Sequence, residues 1–305
     1  MESEVLSKLR EFFKEIIERA PSNPIYRRYS VRDWHLVSDE LREVLTSSAL
    51  TSVMRRVTGV DDLILWRSKL FEKLPGDGPI DWHQEYGYFD GEEAGGHRPA
   101  LLPLGTQSPW NWTVWIALTD VTEDDGVMEF VPGSQAVRYS TRMVPLRSSA
   151  AFVDPSNRVG SKAELLERAT NNSLIIDVDT SHVFDSIDTC QLSLHELLKI
   201  VDEYCGRQRA VVTDPFELGP DESVTKTMNA GEFIVFSERC MHRSRGAPHG
   251  GRMRLAISAR YTVGSTWVYP QRHVGDFRDG SGLDIGSHRC VKALGANFNP
   301  QNQYA

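Results

Sequence analysis

The sequence predicts a mainly β protein with flanking helices, folded as a double-sheet jelly roll. Three observations carry that expectation. Helical patterns come first and end near residue 57, the apolar period changes at Asp61, and short turn-separated strands then follow as far as Val263. The 305 residues are 40% hydrophobic and 25% charged, enough to build a substantial core. The chain reads as one domain over 1–305, with N-terminal helices in 1–57 and an insertion at about 136–223 expected to shape the substrate entrance.

Each element has a local reason. In residues 2–20, Val5, Leu9, Phe12, Phe13, Ile16 and Ile17 recur at helical spacing among Lys and Glu, and Pro21 and Pro24 stop the helix. A second helix is expected from Ser38, whose hydroxyl can cap the first turn, to about Val57, with Gly59 as its stop. Residues 61–74 alternate loosely and read as a strand, and 75–79 is a Pro/Gly turn. An aromatic strand follows at 81–89, then a Gly-rich loop at 90–99 suited to a turn or lid. Strands are expected at 113–118 and 127–131, the latter closed by Pro132-Gly133-Ser134-Gln135. Inside 136–223 the sequence gives a short helix at 161–169, strands at 174–178 and 208–213, and a capping box, Ser193 to Glu196, that opens a helix running to about Cys205. Strands return at 224–228, 232–236 and 254–263, and the last 40 or so residues read as loop or surface tail.

Bulk properties exclude several functions. The net charge of -8 disfavours nucleic acid and anionic membranes as partners, while a local basic pocket for one small acid, as a small-molecule substrate, stays compatible with it. Residues 1–20 carry five glutamates and no apolar h-region, and no run of about 18 apolar residues exists to span a bilayer. Cys190, Cys205, Cys240 and Cys290 show no CxxC pairing, so free thiols in a reducing cytoplasm are expected. H-x-E without a later P-C-x-x-C does not fit a zinc deaminase, and no G-x-S-x-G supports a serine hydrolase.

Chemistry concentrates in Asp81-Trp82-His83-Gln84-Glu85-Tyr86-Gly87-Tyr88-Phe89. On a strand, side chains two apart leave the same face, so His83 and Glu85 would point together. One more histidine would complete the two-histidine, one-carboxylate set favoured by non-heme Fe(II) oxygenases. Of nine histidines, His242 stands out: it follows a strong strand and a short turn, and precedes a segment holding Arg252, Arg254 and Arg260. Arginine suits bidentate recognition of a carboxylate, as a keto-acid cosubstrate would need.

The blocks WHQEYGYF, WIALTDVTEDDGVMEFVPGSQ and AGEFIVFSERCMHRSRGAP, with RMRLAISARY after them, resemble the phytanoyl-CoA dioxygenase family over about residues 61–263, apart from the insertion. The resemblance implies a double-stranded β-helix of the cupin type and an Fe(II)/2-oxoglutarate-dependent dioxygenase that uses O2. His83, Glu85 and His242 fall on the family's iron ligands, and Arg254, aligned by the following LAISARY, on the arginine that grips the distal carboxylate of 2-oxoglutarate. Ser244 matches a hydroxyl assisting that carboxylate, Trp115 an aromatic lining the cosubstrate pocket, and Gln84 the middle of the family's His-Gln-acid triplet. Tyr86, Trp110 and Trp112 lie where family members line the substrate mouth, although packing alone would also explain these aromatics.

The chain departs from the family in three ways. Its carboxylate ligand is Glu where Asp is usual, its PGSH turn is PGSQ, and the segments after Phe89 and Gln135 are long. The family's halogenating relatives lack the carboxylate, so Glu85 disfavours halogenation. The expected reaction is hydroxylation of an unactivated C–H bond of a small secondary metabolite or amino-acid-like molecule, with 2-oxoglutarate converted to succinate and CO2. Desaturation, cyclisation and epoxidation are the alternatives within the class. A non-catalytic jelly-roll binder is the alternative outside it.

Overall fold

Two antiparallel sheets face one another, and helices cover the outer side of the larger sheet. The computed structural model describes residues 1–85, 100–105, 110–145, 159–205, 209–213, 222–270 and 284–305. In chain order the strands of the two main sheets are β1 (Leu63–Lys73), β2 (Ile80–His83), β3 (Asn111–Ala117), β4 (Met128–Phe130), β5 (Val224–Lys226), β6 (Phe233–Ser237), β7 (His242–Ser244), β8 (Arg254–Val263) and β9 (Val291–Leu294). The larger sheet runs β6-β3-β8-β1-β9 and the smaller β5-β4-β7-β2. This is the jelly roll the strand pattern predicts.

Alternation along the strands separates two cores. From β8, Leu255, Ile257, Ala259 and Tyr261 face outward and pack with Leu9, Phe13 and Ile16 of α1 (Ser3–Arg19) and with Leu41 and Met54. Burying each leucine, isoleucine, phenylalanine or methionine among them contributes about 1.5–3 kcal/mol, which fixes the helices on this face. On the inner side, Trp115 and Ala117 of β3, Ala256 of β8, Phe236 of β6, and Met128 and Phe130 of β4 form the core between the sheets. Arg254, Ala256, Ser258 and Arg260 therefore share the inner face of β8, two residues apart.

Local departures from the sequence reading have physical causes. The second helix is two, α2 (Asp39–Thr46) and α3 (Ser48–Thr58), because Ser47 takes an extended conformation and its hydroxyl caps the Leu50 N–H. Ser38 caps α2 as expected, and Gly59 ends α3 in the left-handed region. Residues 174–178 form a turn instead of a strand: Asp177 has a left-handed φ of 60°, and Leu174, Ile175 and Val178 join a separate small core. That core also includes residues of α4 (Lys162–Thr170) and α5 (Leu194–Cys205), and Glu196 closes the Ser193 capping box on α5. The C-terminal segment is more than a tail, since β9 pairs with β1 at the sheet edge.

The four cysteines are free, and no helix among the described residues is long and apolar enough to cross a membrane. Tyr86 and the 90–99 loop fall outside the described residues.

Candidate metal centre

The smaller sheet builds the site. β7 lies between β4 and β2, and its register sets His242 opposite both Phe130 and His83. The two imidazole rings are 4.2 Å apart between centroids. Strand β2 ends at His83, two residues sooner than a shared strand face with Glu85 would need. Glu85 instead enters from the following turn, where its backbone N–H donates to the Glu238 carbonyl at 3.0 Å. One ligand atom from each of His83, Glu85 and His242 lies within 4.8 Å of the other two.

The surroundings prepare these atoms for a metal. Nδ1 of His83 is 2.8 Å from the Asp81 carbonyl, and Nδ1 of His242 is 2.8 Å from the Cys240 carbonyl. A carbonyl only accepts, so each ring carries its proton on Nδ1 and offers the Nε2 lone pair. Burial first, and His83 next, push His242 down to about 3, so its ring is neutral at physiological pH. Burial alone would raise the Glu85 carboxyl, but Arg260, then His83, His242 and Lys69, outweigh it and hold the group below the ordinary glutamate value. Arg260 donates to Glu85 Oε2 at 2.6 Å, and Glu85 Oε1 lies 3.9 Å from His242 Nε2. Two imidazoles and one carboxylate suit a divalent first-row metal such as Fe(II).

A second cluster fits a carboxylate. Arg254 is 1% exposed, donates to the Gly126 carbonyl and stacks 5.4 Å from the Trp115 ring centroid. Its Nε, and the Oγ of Ser244, are buried without a partner among the described residues. Orphaned buried donors are costly, and a carboxylate oxygen would satisfy them. Burial brings the Arg254 guanidinium down to about 10, still charged at neutral pH. Lys73, paired with Arg254 across the sheet, donates to the carbonyls of Gly78 and Arg245. Arg252 is a surface residue whose guanidinium pairs with Asp125 at 2.9 Å, which separates it from Arg254.

Three of the remaining expected residues are placed as follows. Gln84 points away from the cluster: its amide donates to the Val137 and Arg239 carbonyls at 2.7 and 2.6 Å and accepts from the Tyr139 N–H at 3.1 Å. That makes it a clamp between loops, and these contacts give it no cosubstrate role. Trp112 lies on the outer face of β3 in the core beneath the helices, so it does not line a substrate mouth. Trp110 is half-buried against the cluster around Trp66 and Tyr269. The sequence reading missed the Arg260–Glu85 pair and Lys69 of β1. Period-two counting from Arg254 and from Lys73 would have put both on the inner face.

A jelly roll carrying two histidines and a carboxylate at one metal-sized gap belongs to the class of non-heme iron oxygenases. The chain is a member of the phytanoyl-CoA dioxygenase (PhyH) family, whose model matches residues 10–254. It is accordingly a 2-oxoglutarate-dependent oxygenase, with Fe(II) and 2-oxoglutarate as cofactor and cosubstrate. Solved structures agree on the fold. CytC3 is 20% identical over 100% of this chain and 85% of its own, with a TM-score of 0.58. ThoJ, a non-heme monooxygenase, is 15% identical over 99% and 79%, with a TM-score of 0.55. The epimerase SnoN, in complex with Fe3+, alpha ketoglutarate and nogalamycin RO, is 15% identical over 99% and 90%, at 0.52. No curated protein sequence matches significantly.

Proposed function

We propose that this enzyme hydroxylates an unactivated C–H bond of a small metabolite, natural-product or amino-acid-like, with His83, Glu85 and His242 holding Fe(II). The convergence of those three ligand atoms within 4.8 Å is the observation that carries the reading. Ferrous iron bound there would supply O2 activation coupled to decarboxylation of 2-oxoglutarate to succinate and CO2. The chain does the rest. Arg254 and Ser244 receive the distal carboxylate, Trp115 walls the cosubstrate pocket, and Phe130 and Phe236 keep water from His242, whose ring they approach to 6.2 and 4.6 Å. The insertion at 136–223 reaches the inner wall through the Asp177–Arg32 pair, 2.9 Å, which supports a role in shaping the entrance. Glu85 fills the position a halide would need. The similarity to SnoN, described as an epimerase from nogalamycin biosynthesis, keeps other oxidative outcomes and secondary metabolism in view.

The test mixes the protein with Fe(II) and 2-oxoglutarate under anaerobic conditions. A weak visible charge-transfer band is expected, and candidate metabolites are then screened in air for substrate-stimulated succinate release. A binder without turnover would give neither band nor succinate.

A further inference from the structure

The inner wall of the larger sheet is cationic, although the chain carries a net charge of -8. Most of its cations are engaged. Arg260 holds Glu85, Arg32 holds Asp177, Arg67 donates to the Tyr269 hydroxyl, and Lys73 donates to two carbonyls. Lys69 differs. It is half-buried, and its ammonium has no hydrogen bond or ion pair among the described residues, only the Phe71 ring 5.0 Å away.

Its position is close to the ligand cluster. Lys69 sits across from Ser258 on β8, and Ser258 is paired in turn with Trp115 of β3. Arg260, two residues along the same inner face, holds Glu85. From the other side Arg32 forms a β-bridge with Lys69 and brings Asp177 with it. The wall therefore sets Lys69, Arg32 and Arg260 against two acids, Asp177 and Glu85, each already paired with an arginine. Holding a partly desolvated ammonium among like charges is unfavourable until an anion joins it. Burial, with Arg32 next, lowers Lys69 to about 8, which leaves it mostly protonated at neutral pH.

We infer that Lys69 is a specificity residue that receives an anionic group of the substrate, so that the enzyme acts on small organic acids, carboxylates above all. This rests on the oxygenase reading above, because it takes the substrate to enter beside the ligand cluster. The same chemistry is present in the 2-oxoglutarate carboxylate nearest the metal. Lys73, not Lys69, is Arg254's partner, and four residues of strand, roughly 13 Å, separate the two lysines along β1. That spacing favours the substrate as the source.

The test uses the full-length enzyme with benzoate and benzamide, a pair alike in shape and different in charge. Calorimetry measures binding of each probe to the wild type, Lys69→Met and Lys69→Arg, and the anaerobic visible band reports 2-oxoglutarate affinity. The wild type should bind benzoate at least tenfold more tightly than benzamide. Lys69→Met should lose that preference and Lys69→Arg keep it, while 2-oxoglutarate affinity changes less than threefold in both. An equal response to the two probes in the wild type, or a preference that survives in Lys69→Met, overturns the assignment. So does a tenfold loss of 2-oxoglutarate affinity in Lys69→Met with the benzoate preference intact, which would give Lys69 to the cosubstrate. A missing visible band alongside an intact, Lys69-dependent benzoate preference would sink the oxygenase reading and leave the anion site standing.

Discussion

Arg260 and Glu85 form a buried ion pair of 2.6 Å, and the pair leaves Glu85 Oε1 as the oxygen 3.9 Å from His242 Nε2. The guanidinium thus fixes which oxygen a metal meets, and it steadies a side chain one methylene longer than the aspartate usual in the family. Arg260→Met should weaken divalent metal binding by about 10–100-fold, the range typical for loss of a residue that orients a ligand. Anaerobic Co(II) titration followed by absorbance checks this. Arg260→Lys should recover part of the affinity, and a Met variant with wild-type Co(II) binding would remove Arg260 from the site.

The roles proposed for Arg254 and Ser244 differ in size. Removing a charged partner from a buried carboxylate costs about 2–5 kcal/mol, so Arg254→Met should raise the 2-oxoglutarate Kd by at least about 30-fold. Ser244→Ala removes one neutral donor, about 0.5–1.5 kcal/mol, and should raise it by only about 2–10-fold. Titration of the anaerobic Fe(II) protein with 2-oxoglutarate measures both. Equal effects would mean the two do not share a ligand in the way described.

Gln84 should behave as a structural clamp. Gln84→Ala leaves the carbonyls of Val137 and Arg239 and the Tyr139 N–H without their partner. A loss of about 1–3 kcal/mol in unfolding free energy is expected for buried groups so exposed. Urea denaturation reads that loss, while the 2-oxoglutarate Kd should stay within about threefold of wild type by the same argument. A large change in Kd at unchanged stability would restore the cosubstrate role.

Much of this was legible in the residues. The jelly roll could be read because helical patterns give way at Asp61 to short turn-separated strands, Arg254 to Val263 among them, and His242 and Arg254 sat in a block with a recognisable order. What escaped was set by tertiary contact. Nothing local marks Ser47 as a break between two helices, since Ser is tolerated within one, and only the fold shows it capping Leu50. Trp112 and Trp115 are equally aromatic, but pleating sends one beneath the helices and the other toward Arg254. Glu85 was expected on the strand of His83, but it reaches the cluster from the turn after it, where the bond to Glu238 fixes the backbone.

Stability should fall with acid in part through Asp125. Its carboxylate accepts from the Thr122 N–H and hydroxyl and from the Arg252 backbone and guanidinium. Burial would raise its titration, but those donors, Arg252 and Thr122 first, hold it well below the ordinary aspartate value. A carboxyl lowered in the folded state binds fewer protons than the unfolded chain does. Its stabilisation is therefore complete above about pH 5 and is lost as pH falls through the unfolded value toward the lower native one. Asp125→Asn should be less stable at pH 7 and show a shallower loss between about pH 5 and pH 2. Urea unfolding across that range checks it, and an unchanged slope would move the acid sensitivity to other groups.

The central claim is that His83, Glu85 and His242 together hold one ferrous ion. The direct measurement is iron content and affinity of anaerobically loaded wild type, Glu85→Ala and His242→Ala, with circular dichroism to confirm that each is folded. The wild type should retain one Fe(II) per chain after gel filtration, and each folded variant should lose most of it. One tightly held Fe(II) per chain in both variants would contradict the account.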